Sequence, residues 1–126
     1  MREIDEIDAT LRRLGRMLFD RDAAFADQFA EDALLVGSEP GEIAAGREAI
    51  RAMIGALFTR PARYIWDWQS VDIRVDGDLG WLFAEGHAVR SDSEGRMAVP
   101  YRLSAVLGWN GEQWAWRLFH GSEPKV

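Results

Sequence analysis

Glu85 and His87 stand two residues apart in the apolar run Trp81–Val89, and Tyr101 and His120 follow in the next two runs. In an extended chain, residues of one parity share a face. Trp81, Phe83, Glu85, His87 and Val89 therefore form one side of a strand. Val99, Tyr101, Leu103, Ala105 and Leu107 form one side of the next. Trp114, Trp116, Leu118, His120 and Ser122 form one side of the last. If these sides line one concave surface, Glu85, His87, Tyr101 and His120 make a polar group among aromatics, as in a small-molecule pocket. A partly buried carboxylate beside an imidazole can hold a general base near neutral pH. A tyrosine opposite it can donate a hydrogen bond to a developing enolate oxygen. The expected catalytic residues are thus Glu85, His87 and Tyr101, with Trp66, Trp81, Trp116 and His120 as ligand-binding residues. In the plainer alternative, Glu85 and His87 satisfy each other or sit at a subunit interface. A bulge in any long strand would exchange the faces.

Other chemistry is poorly supported. Ser122 follows His120 closely, but no Gly-x-Ser-x-Gly elbow surrounds it. His87, His120 and Glu85 could supply three metal ligands, yet they lack a ligand-spacing motif, and no metal is expected. Gly41 to Gly46 does not follow a strand in the manner of a nucleotide-binding loop. No cofactor is expected. Asp32 reads as a cap or turn residue rather than a catalytic acid. Arg47, at the start of a helix, reads as a surface residue.

These residues need elements to hold them. Ile4, Ile7, Leu11, Leu14 and Leu18 recur at steps of three and four, one stripe of an amphipathic helix. Acids lead that helix and arginines follow, which suits the helix dipole. Asp20 or Asp22 can cap a short second helix carrying Phe25 and Phe29. Ala33–Val36 reads as a short buried strand and 37–46 as a loop. Glu48–Phe58 reads as a third helix, stopped by Pro61. Four long strands follow: Tyr64–Val75, Leu79–Arg90, Met97–Trp109 and Glu112–His120. Asp76-Gly77 and Asn110-Gly111 are strong hairpin signals, so the strands form an antiparallel meander. Strands this long curl, and helices across the hollow side enclose a space.

The chain has 126 residues, enough for one domain (1–126) with a core of its own. It has no cysteine, which removes disulfides, thiolate metal sites and cysteine nucleophiles, and a cytoplasmic location is expected. The net charge of −6 argues against binding nucleic acid. No apolar run is long enough for a membrane span, and the charged start MREIDEIDAT does not read as a signal peptide. Six tryptophans all fall in the second half of the chain and point to large aromatic packing there.

Phe29-Ala30-Glu31-Asp32-Ala33-Leu34, Gly46-Arg47-Glu48-Ala49-Ile50 and the closing run from Trp114 to His120-Gly121-Ser122 resemble the NTF2-like superfamily, its SnoaL-like branch most of all. The resemblance covers nearly the whole chain. It implies an α+β cone with three N-terminal helices packed on a curved, mainly antiparallel sheet, a pocket between them, and a homodimer through the outer sheet face. The strands support the dimer separately, since Leu79–Val89 is apolar on both sides and a sheet with one wet face alternates more cleanly. In ketosteroid-isomerase relatives a catalytic aspartate lies just past the first strand. Gly37 occupies the matching position here, which counts against that chemistry.

Three functions are therefore carried forward. The first is a small-molecule-binding domain for a small apolar or carbonyl-containing ligand. The second is a cofactor-independent isomerase, dehydratase or cyclase with a Glu or His base. The third is a dimeric assembly module without catalysis.

Overall fold

The computed structural model describes residues 2–125. Helix α1 (Arg2–Asp20) buries Ile7, Leu11, Leu14 and Leu18, the stripe expected from their spacing. Asp22 caps a 3-10 helix (Ala23–Gln28) by accepting the Ala24 N–H at 2.9 Å. Phe25 belongs to that turn, but Phe29 already opens strand β1 (Phe29–Val36). The stretch read as a loop contains one short strand, β2 (Ile43–Ala45), which folds back on β1. Helix α2 (Arg47–Leu57) follows, with Ile50 and Ile54 buried. Arg47 is not a free surface residue: its guanidinium donates to the Phe29 carbonyl at 2.8 Å and ties the helix start to β1.

The four long strands are β3 (Arg63–Asp76), β4 (Leu79–Asp92), β5 (Gly95–Trp109) and β6 (Trp114–Ser122). They form the expected meander. The sheet has six strands in the order β2-β1-β6-β5-β4-β3, and only the β1–β6 pair is parallel. The helices pack on one side of this curved, unclosed sheet, and the two layers share one core centred on Ile7, Leu11, Phe25, Phe29, Leu103 and Trp116.

Two registers decide which side chains meet the helices. Ser93 and Glu94 alone join β4 to β5, so Asp92 pairs with Gly95 and Tyr101 falls opposite Gly86. Odd positions of β4 therefore face away from the helices while odd positions of β5 face them. In β6, an irregularity at Arg117 puts Trp116 opposite Leu107 and Phe119 opposite Ala105. The extra residue sends Trp116 and Phe119 inward together and turns Leu118 and His120 outward.

Candidate functional site

Between the sheet and the helices lies a cavity of about 750 Å³. Leu18, Phe25, Ile54, Leu57 and Phe119 line its apolar depth, and Tyr64, Trp66 and Tyr101 form its aromatic wall. Its mouth carries Ser38, Glu39 and Glu42 from the β1–β2 loop, and Glu123 beyond β6. Arg60 and Arg90 line the cavity as well.

Tyr101 is the most deeply placed polar group of this wall, only 7 % exposed. Its ring meets Trp66 at 6.3 Å and Trp68 at 6.1 Å between centroids, and Trp66 also packs on Phe119 at 5.3 Å. Burial pushes the phenol pKa well above its ordinary range, and the charges of Glu42 and Glu123 push it further. The neighbouring Trp66 indole works in the opposite direction but is a smaller effect. Tyr101 is therefore a neutral phenol throughout the physiological range. Gly121 makes its position possible, because a Cβ there would sit 1.7 Å from the hydroxyl oxygen.

The structure divides the residues singled out from the sequence. Trp66 and Tyr101 line the cavity. Glu85 and His87 do not join them. Both flank Gly86, the partner of Tyr101, and the pleat sends them to the opposite face of the sheet. There Glu85 makes an ion pair with Arg102 at 3.2 Å, and His87 lies between Asp67 and Pro100 on the neighbouring strands. Trp81 is on that outer face too, 41 % exposed. His120 is exposed there as well, beside Ser104 and Val36. Trp116 faces inward but is fully buried in the core against Phe29 and Phe119, away from the cavity lining. The indole nitrogens of Trp114 and Trp116 are buried with no hydrogen-bond partner. No group of three or more His, Asp or Glu side chains is arranged to hold a metal ion among the described residues.

Sequence reasoning missed Glu42 and Glu123. Both lie outside the long strands and show no periodicity that would mark them. The one available signal was Gly37: a glycine at a strand end leaves room for another side chain, and the Glu42 side chain occupies that room.

Fold and site together define a pocketed NTF2-like α+β domain. Residues 7–125 match the SnoaL-like domain, and the chain belongs to that family. No curated protein matches it. Among solved structures, a protein of unknown function from Mycobacterium tuberculosis is similar with a TM-score of 0.87 and 21% identity, over 98% of this chain and 73% of that one. A candidate dehydratase of the NTF2-like family from Streptomyces avermitilis gives 0.85 at 10% identity, over 98% and 97% of the two chains. A Catenulispora acidiphila protein solved in complex with S-DNPA gives 0.83 at 15% identity, over 94% and 91%. At these identities the likeness is one of fold.

Proposed function

We propose that this SnoaL-like domain binds a small molecule in the cavity, with Trp66 and Tyr101 as its aromatic and polar anchors. One observation carries the reading. Tyr101, only 7 % exposed, lines a cavity of about 750 Å³, and its hydroxyl is in none of the hydrogen bonds among the described residues. The hydroxyl is left for a ligand, and a buried polar group without a partner is costly to maintain for stability alone. The volume lies within the range of small-molecule sites, and so does the balance of apolar lining and few polar groups. A neutral fluorescent probe, 1-aminoanthracene, tests it. Saturable binding that Val99→Trp abolishes by filling the cavity supports the reading. Equal binding by the filled variant contradicts it.

Catalysis is the second reading, favoured by the same unpartnered hydroxyl of Tyr101. In a cofactor-independent isomerase, dehydratase or cyclase, Tyr101 would donate to a substrate carbonyl. Glu85 and His87 face away from that hydroxyl, so a base would have to come from Glu42 or Glu123. Turnover of an enolisable unsaturated ketone that Tyr101→Phe reduces by about a hundredfold supports this reading. Turnover unaffected by the substitution removes it.

We infer further that two copies pair through the outer sheet face. Trp81, Val106, Leu118 and Leu34 stand side by side across four strands, with Phe83 and Val36 in the adjoining row. Trp81 and Phe83 are 41% and 43% exposed in the single chain, an uneconomical arrangement unless something covers them. Glu85, His87 and His120 lie on this same face and belong to the contact in this reading.

A further inference from the structure

Three features of the cavity point the same way, and this inference rests on the ligand-binding reading above. First, the mouth of the cavity carries carboxylates within electrostatic reach of Tyr101. Glu42 folds back over Gly37 so closely that a Cβ there would meet its Oε1 at 2.6 Å, and the Glu39 N–H holds that same oxygen at 2.9 Å. Glu123 takes a hydrogen bond from the Ser38 hydroxyl. Among the described residues, none of Glu39, Glu42 and Glu123 is in an ion pair. Neither of the cavity's arginines pairs with them: Arg90 pairs with Asp92 at 3.2 Å, and Arg60 is in no ion pair among the described residues.

Second, the polar group of the aromatic wall has no partner. The Tyr101 hydroxyl is in none of the hydrogen bonds among the described residues, its side chain is 7 % exposed, and its oxygen keeps its lone pairs for a ligand. Third, Tyr64, Trp66 and Tyr101 line the same space. Aromatic faces carry negative quadrupolar charge and attract cations.

We propose that the cavity selects a ligand carrying a positively charged organic nitrogen, seated between Glu42, Glu123 and the aromatic wall, with an apolar body in the depth of the cavity. An ammonium N–H can donate to either carboxylate and to the free lone pair of Tyr101. A bare metal ion is the poorer fit, since the acids are not gathered into a coordination group. An anion is worse still. Burial and, after it, the carboxylates keep the Tyr101 phenol neutral, and both would also oppose negative charge placed beside it. The same field acts against an oxyanion at Tyr101, so it favours binding over enolate chemistry in this cavity.

Three probes of matched shape test the charge preference by calorimetry at neutral pH: 3-phenylpropylammonium, 3-phenylpropan-1-ol and 3-phenylpropionate. They are measured on the wild-type chain and on a Glu42→Gln, Glu123→Gln double variant. Glutamine keeps an oxygen for the Glu39 N–H and for the Ser38 hydroxyl, and a melting curve confirms that the variant folds. The ammonium is expected to bind about tenfold more tightly than the carboxylate, with the alcohol between them. In the double variant that gap collapses while the alcohol changes by less than about twofold. In the wild type, added salt narrows the gap. Alcohol binding without a preference for the ammonium overturns this inference and leaves the ligand-binding reading standing. A preference that survives the double variant also overturns it. Failure of all three probes to bind overturns both.

Discussion

Tyr101 owes its place to what the neighbouring strand lacks. Its hydroxyl passes over Gly121, and no other residue would leave it room. Gly121→Ala should therefore destabilise the fold by about 1–3 kcal/mol through overpacking. Tyr101→Phe should not relieve it, because the ring Cζ would still lie 2.5 Å from the new Cβ, whereas Tyr101→Leu, which removes the ring, should restore much of the loss; denaturant melts of the four chains of that cycle measure the coupling. The raised phenol pKa has its own signature. In the unfolded chain Tyr101 deprotonates near its usual value of about 10, whereas in the folded chain it stays protonated to higher pH. Stability is therefore fully present below about pH 10 and falls as pH rises beyond it. Tyr101→Phe should flatten that alkaline decline in pH-dependent melts. Trp116 belongs to the core rather than to the site, and Trp116→Ala should cost about 3–5 kcal/mol without a specific effect on the ligand.

The elements were legible in the sequence because periodicity reports burial. The stripe from Ile7 to Leu18 predicts α1, and the apolar runs with Asp-Gly and Asn-Gly signals predict the meander. What the sequence does not carry is the register. The expected strand ends Arg90 and Met97 do pair, but that pairing sets odd positions of β4 opposite even positions of β5, so Gly86 rather than Glu85 or His87 lies across from Tyr101. The irregularity at Arg117 has the same effect on His120. Face assignments in long strands depend on turn length and bulges, and neither is set by hydrophobic pattern. The loop leading from α2 into β3 is held by a contact that is equally silent in the sequence. Arg21, with its backbone at φ 55°, donates to the carbonyls of Arg60, Pro61 and Ala62, which line the cavity. Arg21→Ala should loosen this edge by about 1 kcal/mol, read as faster amide exchange in α2's last turn and at Arg63.

For the whole molecule, the two faces of one sheet differ in what they present. The inner face holds the core and the cavity. The outer face presents Trp81, Phe83, Val106 and Leu118 across adjacent strands. No helix among the described residues is long and apolar enough to cross a membrane. If two copies pair through the outer face, light scattering at micromolar concentration gives twice the chain mass. A Trp81→Glu, Phe83→Glu variant then gives the chain mass while retaining its circular dichroism and its probe binding. A monomeric wild type would leave the exposed tryptophan unexplained by this account.

The central claim is that a small molecule sits against Trp66 and Tyr101. The indole N–H resonances of the six tryptophans report on it directly, because Trp66 lies in the cavity, Trp116 in the core and Trp81 on the outer face. Titration with 3-phenylpropan-1-ol should shift the Trp66 resonance saturably and leave those of Trp81 and Trp116 nearly still. Tyr101→Phe should weaken the effect by about tenfold, the loss of one buried hydrogen bond. A Trp66 resonance that stays still while that of Trp81 moves would place the binding surface on the outside of the sheet and contradict the account.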